Sequence, residues 1–136
     1  MSLLNKFQPM KIILACVLAC CSLVVYADDL DVLPSRYQLT PVQVHTELIF
    51  MGTLLLDYSQ TRDIKNHAGM YEINPILGQH PSDAKIRNYF LAVGVGHYLV
   101  TKALPNEYRP YWQWGWIGIE LLTIAHNRQI GLQFKF

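Results

Sequence analysis

Apolar residues concentrate in four stretches of the chain, and segments rich in proline or glycine interrupt the later ones. The first stretch, residues 12–26, is apolar throughout, whereas the other three carry isolated polar residues within a mostly apolar sequence. Their turn-forming separators include residues 67–81 and 105–110. This order predicts an all-α protein in which an N-terminal apolar segment precedes three helices.

Capping residues and prolines predict where the three helices begin and end. Thr40 followed by Pro41 is typical of an N-cap and a first helical position. Pro105 is expected to stop the second helix. The first helix is predicted at 41–66, the second at 81–104, and the third from about 110.

The first apolar stretch is expected to be an export signal. Two lysines precede it, and Val25 and Ala27 lie at the positions that a signal peptidase reads. Residues 1–27 are therefore predicted to be a signal peptide, and residues 28–136 a single helical domain. Two alternatives remain: an uncleaved N-terminal membrane anchor, and lipidation at Cys20, because the preceding residues resemble a bacterial lipobox.

The second and third helices have the residue distribution of segments buried in lipid or protein. Residues 88–101 contain no Asp, Glu, Lys or Arg and are apolar on almost every side. The third helix begins with an aromatic cluster of the kind found at membrane interfaces. These aromatic residues are Tyr111, Trp112, Trp114 and Trp116. The pattern favours a three-helix bundle in the bacterial inner membrane, and a soluble periplasmic helical module is the alternative.

Basic residues support one orientation of such a bundle. If the chain starts inside and crosses at the signal and at each helix, eight Lys and Arg lie inside and three outside. The inside residues are Lys6, Lys11, Arg62, Lys65, Lys85, Arg87, Arg128 and Lys135; the outside residues are Arg36, Lys102 and Arg109. This positive-inside bias predicts a periplasmic N-terminus for the mature protein and a cytoplasmic C-terminus.

Composition narrows the possible functions. The net charge is +1 and only 15% of residues are charged. The chain therefore has neither the positive electrostatic field nor the basic stripe that is typical of nucleic-acid binding. All three cysteines lie between residues 16 and 21, which leaves no disulfide or cysteine-based zinc site for the rest of the chain. No nucleophile, phosphate-loop or dinucleotide motif is present. We therefore expect no cofactor and no metal ion.

Ionisable residues on otherwise apolar helices are costly and should face one another. Helical depth predicts that His97 approaches Glu47 or Glu120, so these three residues form a candidate polar network. A histidine beside carboxylates can handle protons near neutral pH. The simpler interpretation is a hydrogen-bonded trio that holds the helices in register.

The segment from Asp57 to the second helix carries a further motif. It comprises Asp57, Gln60, Thr61, Glu72, Asn74 and Pro75. The spacing resembles an uncharacterised group of small bacterial membrane proteins, which carry an Asp near a helix end, a Thr soon after, and Glu-x-Asn-Pro before the next helix. The resemblance implies a multi-helix membrane protein and no known activity.

Local chemistry gives this motif two possible roles. Asn74 and Pro75 are expected to start a short turn, and Glu72 to reach back toward Gln60 and Thr61. The acidic pair of Glu72 and Asp57 would then tie the loop to the helix or form an ion site. We interpret Glu72 and Asp57 as structural residues that hold the loop against the helix, rather than as an ion site.

The function expected from the sequence is therefore that of a small inner-membrane accessory or interaction protein. Its predicted partners are the lipid bilayer and a protein surface or a second copy of the chain. An intramembrane enzyme or ion-handling protein that uses Glu47, His97 and Glu120 is the first alternative.

Overall fold

A computed structural model describes residues 37–136, so the predicted signal peptide and Cys20 lie outside the described residues. Among residues 37–136 the regular structure is helical and no strand is present. Helix α1 is Pro41–Asp63 and continues as a 3₁₀ turn at Ile64–Asn66, α2 is Asp83–Ala103, and α3 is Arg109–Gln129. The all-α prediction is confirmed for this part of the chain.

The helix starts depend on side-chain caps. Thr40 accepts the Gln43 amide at 3.3 Å, and the Gln43 side-chain carbonyl accepts the Thr40 amide at 3.0 Å, which together make a capping box. Ser82 accepts the Lys85 amide at the start of α2. Because these caps are encoded locally, the predicted starts of α1 and α2 lie within two residues of the observed ones.

Helix α1 occupies the centre of the bundle and packs against both α2 and α3, which meet each other less extensively. Gly94 of α2 faces α1 so closely that a Cβ there would lie 3.3 Å from Met51 Sδ. A small apolar core fills the space between the helices and includes Leu77 from the loop before α2. The core residues are Phe50, Leu54, Leu77, Ile86, Phe90 and Ile117.

The rest of the interior is polar, and much of the helix exterior is apolar. The buried polar residues are Gln43, Thr46, Glu47, Thr53, Ser59, Gln60, Thr61, Asp63, His97, Thr101, Arg109, Gln113 and Glu120. The exposed apolar residues of the helices, here named the apolar belt, are Val42, Leu48, Ile49, Leu91, Val95, Leu99, Val100, Tyr111, Trp114, Ile119, Leu121 and Leu122. This distribution is the reverse of the usual one in water.

Mean hydropathy does not single out any of these helices as a membrane span. Between residues 37 and 136, no helix is both long enough and apolar enough to cross a membrane.

The chain after α3 turns back toward the end of α1. Gly131 adopts φ 101°, its amide donates to Arg128, and the Leu132 amide donates to Asn127, which is the Schellman arrangement. Polar and apolar residues alternate in this tail, a pattern typical of a strand, but no strand forms there. The left-handed Gly131 redirects the backbone and places Leu132 in the interior.

Asp63 holds this tail in place. Its buried carboxylate accepts the Gln133 amide at 3.0 Å, the Asn66 amide group at 2.9 Å and the Lys135 ammonium at 3.0 Å, and it pairs with His67 Nε2 at 2.9 Å. Burial alone would raise the pKa of Asp63. The four donors outweigh it and hold that pKa well below its ordinary value.

Replacing Asp63 by asparagine is therefore expected to lower the free energy of unfolding by about 2 kcal/mol, since an amide cannot satisfy four donors. The depressed pKa means that the stabilisation is complete above the unfolded-state pKa of about 4 and is lost as the pH falls toward the folded-state value. Denaturant unfolding across acidic pH tests both effects.

Asp83→Asn is the matched control. That carboxylate forms an exposed ion pair with Lys65, and such pairs contribute at most about 1 kcal/mol. The proposed role of Asp63 would be contradicted if both variants lost the same free energy of unfolding. It would also be contradicted if D63N lost stability at acidic pH as the wild type does.

Candidate functional site

Glu47 is the acceptor on which all three helices converge. Its Oε1 lies 2.7 Å from His97 Nδ1 of α2, and its Oε2 accepts the Gln113 side-chain amide of α3 at 2.8 Å. The Thr101 hydroxyl donates to the His97 carbonyl at 2.8 Å and lies 3.3 Å from Glu47 Oε2. Only 5% of Glu47 is exposed, so these groups replace water around the carboxylate.

Aromatic rings fix the orientation of His97. The Phe50 ring stacks at 3.7 Å between centroids, the Trp112 ring stacks at 5.4 Å, and the Trp116 ring meets the imidazole at its edge. His97 Nε2 is buried and has no hydrogen-bond partner among residues 37–136.

Two kinds of chemistry suit this arrangement. A proton can move between Nδ1 and Oε1 at a separation of 2.7 Å, and a buried, satisfied polar pair can fix how the helices align. No group of three His, Cys, Asp or Glu side chains that could hold a metal ion occurs in the described part of the chain.

Glu120, the third residue of the predicted network, is not hydrogen-bonded to Glu47 or His97 in the described structure. It lies on α3 seven residues beyond Gln113, a rise of about 10 Å. Glu120 is largely buried and close enough to Asp57 for the two charges to interact. Its Oε2 is buried without a hydrogen-bond partner in this part of the chain. The structure therefore joins Glu47 to His97 directly and does not join Glu120 to them by a hydrogen bond.

Asp57 and Gln60 of α1 face α3. Asp57 Oδ1 accepts the Asn127 side-chain amide at 3.0 Å, and the Gln60 side-chain amide donates to the Ile124 carbonyl at 3.3 Å. Thr61 is buried on the following turn. Asp57 and Gln60 of α1 therefore contribute to its interface with α3.

Glu72 secures its own loop. Its Oε1 accepts the Asn74 amide at 2.8 Å, and its own amide donates to the Gln79 carbonyl at 3.0 Å. The expected hydrogen bonds from Glu72 to Gln60 and Thr61 are not present in the described structure. Glu72 is nevertheless close enough to Asp57 for the two charges to interact.

The Asn74–Pro75 turn has the expected shape. Asn74 Oδ1 accepts the Ile76 amide at 3.0 Å, and the Asn74 carbonyl accepts the Gly78 amide at 2.9 Å. Gly78 closes the turn at φ 73°, a conformation that side chains disfavour. Of the two apolar residues in this turn, Leu77 is buried and Ile76 is exposed.

Arg109 is a central residue that sequence reasoning counted only as a loop charge. It is 1% exposed and donates to the carbonyls of Leu104, Lys102 and Gln38 at 3.0, 3.1 and 2.8 Å. It also reaches the Gln43 side-chain carbonyl at 3.4 Å. Arg109 therefore joins the end of α2 to the beginnings of α1 and α3.

Comparison with protein-family models, with curated proteins and with solved structures finds no match to this chain.

Proposed function

We propose that residues 37–136 form a lipid-embedded three-helix module with an accessory or interaction role in the bacterial inner membrane. The observation that carries this proposal is the reversed residue distribution, with a polar interior and the apolar belt on the outside. In water such a belt would be costly to expose. Against lipid tails it needs no further partner.

Helix length is compatible with this environment. Helix α1 has 23 residues, and α2 and α3 have 21 each. These lengths correspond to about 34 Å and 31 Å, close to the hydrocarbon thickness of about 30 Å. Mean hydropathy averages every side of a helix, so inward-facing polar residues lower it without making the outer side polar. The low hydropathy of these helices is therefore compatible with the proposal.

Hydrogen bonding in the interior supports the same environment. Thr46, Thr53 and Ser59 donate their hydroxyls to carbonyls of the preceding turn of α1. Glu47 and Arg109 are likewise surrounded by protein partners. Partners of this kind suit a bilayer, where no water is available to satisfy polar groups. His97 Nε2 and Glu120 Oε2 are exceptions, since neither has a partner within residues 37–136.

The exposed aromatic residues at the start of α3 are the proposed contact with partners. Tyr111 and Trp114 are the exposed members of the apolar belt nearest the start of α3, and such amphipathic rings suit the headgroup level of a bilayer or the centre of a protein interface. A protein partner or a second copy of the chain would then bind at the periplasmic end.

A second candidate function is proton handling by Glu47 and His97. The observation in its favour is the 2.7 Å contact between two buried ionisable side chains, with Nε2 of the same imidazole lacking a hydrogen-bond partner in the described structure.

Replacing Ile119 by lysine tests the membrane proposal. Ile119 is at the middle of α3 and is 54% exposed, so in water this change should alter stability by about 0.5 kcal/mol or less. At the centre of a lipid-embedded helix it should cost about 3 kcal/mol. We expect a marked loss of the full-length protein from carbonate-washed membranes.

Val42→Lys is the matched control, because Val42 is 72% exposed at the end of α1, where lysine can reach the interface. Wild type and V42K should remain in the membrane pellet. Release of the wild-type chain by carbonate, or equal behaviour of both lysine variants, would support the soluble periplasmic module instead.

A further inference from the structure

A pocket of about 320 Å³ lies between the end of α1 and the loop that leads to α2. Several of its lining side chains are basic, and no Asp or Glu is among the described residues that line it. The basic lining residues are Arg62, Lys65, His67 and His80. The pocket is therefore suited to an anion.

Arg62 supplies a hydrogen-bond donor that the protein leaves unused. Its guanidinium carbon lies 5.6 Å from the centre of the Tyr58 ring, which restricts the side chain. Its Nε is buried and has no hydrogen-bond partner within residues 37–136. An unsatisfied buried donor is unfavourable. Because Arg62 lines the pocket, a small rotation of its side chain would bring this donor to an anionic oxygen there.

Two of the other basic groups are already engaged. Lys65 Nζ lies 2.6 Å and 2.7 Å from the two carboxylate oxygens of Asp83, and His67 Nε2 is 2.9 Å from Asp63 Oδ2. These ion pairs hold the pocket wall in place. Direct bonding to a ligand then depends on Arg62, with His80 on the opposite loop segment as a second donor.

The remaining lining indicates the size and character of the ligand. Ile64, Met70 and Ile86 give the pocket an apolar side, which suits carbon atoms better than water. Its volume is at the small end of the range for organic ligands. Guanidinium groups match the oxygens of phosphate especially well.

We propose that this pocket binds the phosphate group of a small phosphate ester, with Arg62 and His80 donating to the phosphate oxygens. The carbon-bearing part of the ester would lie against Ile64, Met70 and Ile86. The phosphate could belong to a soluble metabolite or to a phospholipid headgroup, because both present the same chemistry. The site does not depend on the proposed membrane function. The fold of α1, α2 and the loop between them brings its residues together, whether the bundle lies in lipid or in water.

Calorimetric titration of the purified full chain in an uncharged detergent tests the site. One arm uses glycerol 3-phosphate, and the other uses short-chain phosphatidic acid with short-chain phosphatidylcholine as its reference. We expect binding in at least one arm, and Arg62→Gln should weaken it about tenfold, the value of one charge-assisted hydrogen bond. Binding of glycerol 3-phosphate identifies a soluble ester, and binding of phosphatidic acid alone identifies a lipid headgroup.

Arg87→Gln is the control for charge, because Arg87 is exposed near the same end of the bundle and does not line the pocket. It should bind as the wild type does. Absence of binding in both arms, or equal weakening by R62Q and R87Q, would overturn the proposal. Arg62→Lys and His80→Gln extend the test if R62Q fails to fold: R62K keeps the charge without Nε, and both variants should weaken binding while circular dichroism remains unchanged.

Discussion

Replacing Arg109 by alanine is expected to lower the free energy of unfolding by about 4 kcal/mol, the largest effect of any single substitution considered. The guanidinium donates to the carbonyls of Leu104, Lys102 and Gln38 and approaches Gln43 Oε1. Hydrogen bonds from a charged donor contribute about 1.5–3 kcal/mol each and are not additive. Alanine would leave these acceptors unpaired and open a cavity where three helix ends meet.

Arg109→Lys separates geometry from charge. A lysine ammonium cannot reproduce the planar fork, so it should recover less than half of the lost stability. Arg87→Ala removes the same charge from an exposed position and should change stability by about 0.5 kcal/mol or less. Thermal unfolding followed by circular dichroism would contradict the role of Arg109 if R109A and R87A melted together.

Replacing Glu47 by alanine is expected to lower the free energy of unfolding by about 3 kcal/mol. The change leaves His97 Nδ1 and the Gln113 side-chain amide without the buried carboxylate that they contact. Removing one partner of a buried charged network is costly. Glu47→Gln should lose less, because the amide keeps one acceptor oxygen but turns a donor toward one of its neighbours.

Glu107→Gln provides the control, since Glu107 is exposed in the loop before α3 and should tolerate the change. The same variants separate the two proposed functions. A structural network predicts that E47Q loses activity only in proportion to its stability. Proton handling predicts a folded E47Q protein without activity, and wild-type stability of E47A would exclude the structural role.

The helix framework could be predicted because its signals are local. Thr40 and Ser82 cap helices through residues three positions away, and prolines limit where helices can continue. Depth along antiparallel helices predicted that His97 meets Glu47 or Glu120, and the structure has the contact with Glu47. These predictions required only helix rise and the tendency of buried ionisable groups to meet.

The rest of the site depends on hydrogen bonds between side chains that are distant in the chain, and a single sequence carries no motif that predicts them. Gln113 bonds to Glu47 and to the Gln43 carbonyl, yet an isolated glutamine has no distinctive motif. Arg109 precedes a proline at a helix start and looked like an ordinary interfacial charge. Glu120 was grouped with Glu47 and His97 because helical depth allowed His97 to meet either acid, but two helical turns separate Glu120 from Gln113.

The central position of α1 has a consequence for the order of events during synthesis. Glu47 and Gln113 are 66 residues apart in the chain, and the Asp63–Gln133 bond spans 70. At about 5–20 residues per second, the ribosome needs several seconds to supply the α3 partners after α1 has been made. During this interval the polar side of α1 can pack only against α2. Substitutions that weaken α3 should leave this early helical pair open to degradation, even when the pair itself is unchanged.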